Sequence, residues 1–269
     1  MGSGLCLLNS VTDYAPEARA SVVICGSHGG LIAGALAARA GFQAVILNDA
    51  GIGLDQAGIA GVKQLDKIGM AAAAVDCMSA EIGSASDMLE NGVISFANST
   101  ASALGVEIGK SVKAAAELMK AASAPNGKLD VPKENRWEEQ IDGTKVKLLC
   151  VDSASLITPE DAGRLIVTGS HGGLIGGDPK RACKAQARLV VFSDAGKGKN
   201  NAGTTRLPAL EKRGVAAVTV DCETCQIGSA ASILKTGVIS YANEGATLVG
   251  ATPRLHLATA IANIVSQLD

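Results

Sequence analysis

Aromatic residues are scarce in this chain of 269 residues, at only 2% of the sequence. One tryptophan, two tyrosines and three phenylalanines leave few rings on which nucleic-acid bases could stack, and a net charge of −2 gives no excess of cations for phosphates. Apolar runs are also short, because glycine or charge interrupts them well before the roughly 20 residues that span a membrane. We therefore expect no nucleic acid and no membrane as partners, and a small-molecule substrate instead.

Clustered cysteines are lacking as well. The seven cysteines are odd in number and irregularly spaced, which favours a reducing compartment over a disulfide framework. The N-terminus lacks a basic segment followed by an apolar stretch and a cleavage site, so the sequence predicts no signal peptide and a cytoplasmic protein. We also expect no metal and no cofactor, while a homo-oligomer is left open.

One seven-residue motif, Gly-Ser-His-Gly-Gly-Leu-Ile, occurs twice, at residues 26–32 and 169–175. Each copy follows a short run rich in β-branched residues and holds one of the three histidines of the chain. Further matches continue in the same order through both halves, which predicts a tandem duplication. We predict a first repeat at residues 1–122, a linker at 123–143 and a second repeat at 144–269.

Within each repeat, strand-like runs alternate with glycine-rich loops and helix-like segments. Glycine is abundant, with 32 residues, and 47% of the chain is hydrophobic. This alternation predicts an α/β fold in which each repeat is a parallel, Rossmann-like sheet with flanking helices. Ligands of such sheets bind outside the carboxyl ends of the strands, where the repeated motifs fall.

The repeated motif offers two kinds of group for a bound anion. Paired glycines let backbone amides approach a carboxylate, a phosphate or a developing oxyanion closely, next to the start of a helix. These glycines are Gly29, Gly30, Gly172 and Gly173. The adjacent histidines, His28 and His171, can donate a hydrogen bond or transfer a proton near neutral pH.

The serines of the motif, Ser27 and Ser170, allow two interpretations. Esterases use a His-Gly-Gly segment as an oxyanion hole, and a serine beside it invites a nucleophilic role. The motif only loosely approaches the Gly-x-Ser-x-Gly nucleophile elbow, however, because one residue is missing before the serine. We favour a role in ligand binding or helix capping.

Asp49 and Asp194 end equivalent strands, and each is followed by Ala-Gly, with Gly51 and Gly196 as the glycines. Their distance from the motif is similar to that of the acid in dinucleotide-binding proteins. The glycines do not follow the G-x-G-x-x-G pattern, which argues against a nucleotide. We predict that these aspartates orient a histidine or bind an amine or hydroxyl of a substrate, and that their loop glycines contact it.

Cys77 and Cys222 also end equivalent strands. Two related α/β units that each offer one cysteine resemble the aspartate/glutamate racemase superfamily in layout. That resemblance implies two thiols on opposite faces of a substrate, moving a proton without a cofactor. A buried structural cysteine is the alternative for both residues.

The two repeats differ at some positions that could carry chemistry. Glu81 faces Gln226 in the alignment of the repeats, so only the first repeat keeps a carboxylate there. Glu81 is therefore a candidate acid or base in a site with two unlike halves.

These residues together favour a cofactor-independent enzyme that acts on a small carboxylate-bearing metabolite at one site shared between the repeats. Hydrolysis of an amide or similar bond is slightly favoured over an isomerase, racemase or lyase reaction that uses acid/base histidines or paired cysteines. A non-catalytic protein that binds a small ligand is a third interpretation.

Overall fold

A computed structural model describes residues 4–14, 16–141 and 143–266. The predicted α/β class is confirmed: the described chain forms two mixed sheets of five and six mostly parallel strands, with helices packed on them. In this part of the chain, no helix has the length and apolar character needed to cross a membrane.

The first sheet has the strand order β1-β2-β3-β4-β5. Strands β1 to β4 are parallel, and β5 runs antiparallel to β4. The strands are β1 (Leu5–Leu8), β2 (Val22–His28), β3 (Ala44–Asn48), β4 (Ala71–Val75) and β5 (Ile94–Ala97). The accompanying helices are α1 (Leu31–Ala40), α2 (Ala60–Gln64), α3 (Ala85–Asn91), α4 (Ser99–Ser102) and α5 (Val112–Met119).

The second sheet has the order β11-β10-β9-β8-β7-β6. Its four central strands are parallel, and both edge strands are antiparallel to their neighbours. The strands are β6 (Arg136–Gln140), β7 (Lys147–Val151), β8 (Leu165–His171), β9 (Leu189–Ser193), β10 (Ala216–Val220) and β11 (Ile239–Ala242). The helices are α6 (Arg206–Glu211), α7 (Ala230–Thr236), α8 (Glu244–Leu248) and α9 (Leu257–Val265). Strand β6 lies in the stretch predicted as a linker, so part of that stretch belongs to the second sheet.

Alternate residues of the central strands pack on opposite faces, as the pleat requires. In β2, Val22 and Ile24 contact the core that contains α3 and α5, whereas Val23 and Cys25 contact the core that contains α1. Both faces are therefore covered by helices, which explains why these strands read as continuous apolar runs.

The sheets share the alternation of parallel strands and helices with a Rossmann fold, but not the reversal of strand order. A doubly wound sheet reverses its strand order at a switch point, and its ligand crevice forms there. Here the parallel strands follow one another in chain order in both described sheets. Neither described sheet therefore has a switch point of this kind, and the carboxyl ends of the two sheets meet each other instead.

The two halves contact each other closely at those ends. A Cβ atom added to Gly51 would lie 2.7 Å from the Cα atom of Gly196, and the reverse distance is the same. Ala50, Ile82 and Ala195 form part of a small buried apolar cluster at this contact. Both glycines have positive φ, near +75°, so a side chain there would add backbone strain to the steric conflict.

Candidate functional site

A cavity of about 470 Å³, which we call the histidine cavity, lies between the two halves. It is lined by Ser27 and His28 at the end of β2 and by Ser170 and His171 at the end of β8. Both strands carry an irregularity just before the histidine: the pairing of β2 with β3 shifts between Ile24 and His28. The two copies of the motif therefore contribute to one cavity.

The histidine side chains are oriented in the same way. Nδ1 of His28 accepts a hydrogen bond from the backbone N–H of Gly30, and Nδ1 of His171 accepts one from Gly173, both at 3.1 Å. A neutral imidazole whose Nδ1 accepts must carry its proton on Nε2. The two rings lie 6.4 Å apart between centroids. Each histidine can therefore offer an Nε2–H donor to a group in the cavity.

Burial keeps both histidines neutral. It lowers the pKa of His28 to about 4. The pKa of His171 is lowered well below its ordinary value, first by burial and then by the positive charge of Arg206 and the presence of His28. Neutral imidazoles with Nε2–H act as hydrogen-bond donors at pH 7, as an oxyanion requires, rather than as general bases.

Acidification is expected to destabilise the protein through His28. Its pKa is about 4 in the folded chain against an ordinary value of 6.5, so the unfolded chain binds a proton in this interval that the folded chain does not. Stability is then full above pH 6.5 and falls as the pH drops towards 4, by up to about 3 kcal/mol. Urea unfolding across this range should show a shallower decline for His28→Gln. Parallel curves for the two proteins would contradict the assignment.

The backbone amides of the motif glycines are occupied. Gly29 N–H donates to the carbonyl of Asn48, and Gly172 N–H donates to that of Ser193, both at 2.8 Å. The Gly30 and Gly173 amides hold the histidine rings. All four amides therefore stabilise the loop and are not available to a bound anion, contrary to the sequence prediction. Other groups of the cavity would have to bind it.

The serines of the motif also have partners. Ser27 Oγ accepts a hydrogen bond from Val11 N–H at 3.0 Å, and Ser170 Oγ accepts one from Ala154 N–H at 2.9 Å. Each serine thus fixes the loop after the first strand of its half against the motif. This contact supports a positioning role over a nucleophilic one.

Arg206 is a functional candidate that the sequence reasoning missed. It lines the histidine cavity, is only 3% exposed, and packs on the ring of Phe192 at 5.1 Å. Its Nε donates to the Gly173 carbonyl and its Nη1 to the carbonyls of Ala182 and Arg181. Among the described residues, Nη2 has no hydrogen-bond partner and no carboxylate pairs with the group. Burial lowers its pKa to about 10, so the guanidinium stays charged.

A signal for Arg206 was present in the alignment of the two halves. The first half has Gly61 at the equivalent position, where α1 packs so closely that a Cβ atom on Gly34 would lie 2.8 Å from the Gly61 backbone. In the second half, glycines and Pro179 replace the helix with two short 3-10 turns. The arginine side chain occupies the space that this change opens.

The histidine cavity carries more positive than negative side chains. Among its acids, Asp152 already accepts hydrogen bonds from Asn135 and from the backbone of Ala230. The N-terminus of α1 adds Ile32 and Ala33 to the wall. The charged lining residues are Lys180, Arg181, Lys184, Arg206, Glu134 and Asp152.

Six of the remaining predicted site residues line a separate pocket of about 440 Å³, which we call the aspartate–cysteine pocket. The single shared site that the sequence predicts is thus divided: the histidine cavity uses the ends of β1, β2, β7 and β8, and the other pocket uses those of β3, β4, β9 and β10. The predicted residues in the second pocket are Asp49, Asp194, Cys77, Cys222, Gly51 and Gly196.

The aspartates bind their own loops rather than the histidines. Asp49 Oδ1 accepts from the amides of Gly51 at 2.9 Å and Cys77 at 3.0 Å. Asp194 Oδ1 accepts equivalently from Gly196 and Cys222. Each carboxylate therefore ties the loop after one strand to the loop after the next.

The thiols are buried and protonated in this arrangement. Burial, followed by the negative charge of Asp49, raises the pKa of Cys77 to about 12. Burial and Asp194 raise the pKa of Cys222 further. Each sulfur faces the other half: Cys222 Sγ lies 3.0 Å from a Cβ atom added to Gly51.

Glu81 lies outside both pockets and links the two halves. Its Oε1 accepts a hydrogen bond from Asn200 Nδ2 at 2.9 Å. The equivalent contact runs from Gln226 Nε2 to Asp55 Oδ2 at 2.7 Å. These two carboxylates of the first half therefore face side-chain amides of the second half, so the two halves are complementary as acceptor and donor at both contacts.

Comparison with protein-family models, with curated proteins and with solved structures finds no match for this chain.

Proposed function

We propose that this protein is an enzyme acting on a small carboxylate-bearing metabolite bound in the histidine cavity. The observation that carries the proposal is the buried guanidinium of Arg206, which lines the cavity without a carboxylate partner in the described chain. A buried charge is costly unless paired, so a substrate anion is the partner that the site lacks.

The chemistry follows from the two imidazoles. Their Nε2–H groups come from opposite halves and converge on one cavity, where they can polarise a carbonyl group of the substrate and stabilise the oxyanion that forms. With Nδ1 held by a backbone amide, neither ring has a free basic nitrogen. We propose hydrolysis of an amide or a similar bond as the reaction: water attacks the carbonyl carbon, the bond from that carbon to the leaving group breaks, and the proton that water loses passes to the leaving group.

The arrangement of the chain fits a duplicated origin. We propose that residues 1–122 and 144–269 descend from one ancestral unit and that the cavity formed where two such units met. Divergence then placed a buried guanidinium in the cavity wall from the second half only, so the substrate would bind with its carboxylate towards Arg206. We propose that the protein needs no cofactor for this reaction.

A panel of short mono- and dicarboxylic acids and their amides tests the function. Thermal-shift and turnover measurements should find a member that binds and is hydrolysed. Arg206→Met is expected to raise its KM about 10- to 100-fold, because a charge-assisted hydrogen bond contributes about 1.5–3 kcal/mol. The change in kcat should be much smaller, since the substrate carboxylate lies away from the reacting bond.

Arg213→Met provides the matched control. Arg213 also donates to buried carbonyls, those of Cys183 and Ala185, but it does not line the cavity. Its replacement should leave KM unchanged. Equal KM effects from the two variants would contradict the role of Arg206. Binding of carboxylates without turnover of any panel member would favour a non-catalytic binding protein.

The layout shared with two-cysteine racemases carries less weight. Cys77 and Cys222 do come together at one pocket, but their raised pKa values leave almost no thiolate at neutral pH. Proton transfer between two thiols requires one of them ionised. We therefore rank racemisation below hydrolysis, as the second candidate function.

A further inference from the structure

The aspartate–cysteine pocket holds two groups of side chains in which two carboxylates and one thiol come together. In each group, one oxygen or sulfur atom per residue lies within 4.8 Å of those of the other two. The groups are Asp49, Asp76 and Cys77 in the first half and Asp194, Asp221 and Cys222 in the second.

The second group contains an unsatisfied oxygen. The Asp194 side chain is 0% exposed, and Oδ1 accepts from two backbone amides. Its Oδ2 is buried without a hydrogen-bond partner, a condition that only Gln64 Oε1 shares among the residues that the structure describes. The Ser240 hydroxyl faces the same carboxyl but is bonded to Thr219. A bound ion is one of the few physical reasons for a native fold to retain such an oxygen.

No cation among the described residues forms an ion pair with these acids. Lys197 lines the pocket, but its Nζ lies over the ring of Tyr241, 6.0 Å from the centroid. It forms no ion pair with a carboxylate of the described residues. Two carboxylates and a thiol this close repel one another once ionised, unless a cation lies between them.

We propose that Asp194, Asp221 and Cys222 bind one divalent cation of the zinc type. The donor set decides the class of ion: carboxylate oxygens alone would suit magnesium or calcium, whereas a thiolate beside them selects a borderline-soft ion. Three protein ligands are fewer than the four of a closed structural site, so a water molecule would complete the coordination. This site is distinct from the histidine cavity and does not depend on the reaction proposed there.

Titration of the full-length protein with Co²⁺ tests the proposal. A thiolate ligand gives Co²⁺ a charge-transfer band in the near ultraviolet, and addition of Zn²⁺ should abolish that band whereas Mg²⁺ should not. Cys222→Ser is expected to lose the band. Asp194→Asn is expected to weaken Co²⁺ binding about 10- to 100-fold.

The first half supplies matched controls. Cys77→Ser and Asp49→Asn alter the equivalent positions, and both should keep the band and the affinity of the intact protein. Absence of the band from the intact protein, its retention in Cys222→Ser, or its loss in Cys77→Ser and Cys222→Ser alike would each overturn the assignment. Circular dichroism of each metal-free variant shows that it is folded.

Discussion

His171→Ala is expected to lower kcat about 100- to 1000-fold, as the loss of one oxyanion donor does in other enzymes. His171 is buried, its Nδ1 is held by the Gly173 amide, and its Nε2–H is free to donate into the cavity. Because this donor acts on charge that develops during the reaction, KM should change little. Steady-state kinetics on the amide selected from the carboxylate panel measures both constants.

Two further variants sharpen this test. His171→Gln keeps an N–H donor at a similar distance from the backbone and should recover part of the lost rate. His256→Ala alters the third histidine, which is exposed at the start of α9 and does not line the cavity, so it should leave kcat unchanged. A rise in KM alone, with kcat unchanged, would contradict an oxyanion role for His171.

Gly83→Ala is expected to lower the free energy of unfolding by more than about 4 kcal/mol, in the range reserved for severe steric or burial defects. The residue has φ of +85°, and a Cβ atom there would lie 2.2 Å from the carbonyl oxygen of Leu174 in the other half. Its own carbonyl accepts from Gly176 N–H at 2.8 Å, also across the contact. The substitution thus forces the two halves apart next to the histidine cavity.

Gly228→Ala is the matched control for this prediction. Gly228 occupies the equivalent turn with φ of +87°, but a Cβ atom there meets only His28 Cε1, at 3.8 Å. It should therefore cost only the strain of a left-handed alanine, about 1–2 kcal/mol. Urea denaturation of both variants gives the difference directly. Equal losses would contradict the close contact of the halves at Gly83.

The metal and histidine predictions separate the two pockets experimentally. Removing Cys222 should abolish the thiolate band of Co²⁺, and removing His171 should not affect it, because the histidine lines the other cavity. Both pockets are asymmetric in the same way, because Arg206 and the unsatisfied oxygen of Asp194 both belong to the second half.

The sequence was most informative where local pattern decides structure. Runs such as residues 71–75 are apolar on both faces because helices cover both sides of a parallel sheet, so the α/β class could be predicted from them. The repeated motif also identified His28 and His171 as a pair at strand ends. These features follow from neighbours in the chain, and sequence patterns report them directly.

Only the tertiary structure decided which of these residues share a site. Asp49 follows the strand beside His28, yet its carboxylate is held by the Cys77 amide and lies in the other pocket. The importance of Arg206 depends in the same way on the helix that the second half lacks and on the Gly173 carbonyl, 33 residues away in the chain. Such roles are set by contacts between distant segments, which the order of residues along the chain does not encode locally.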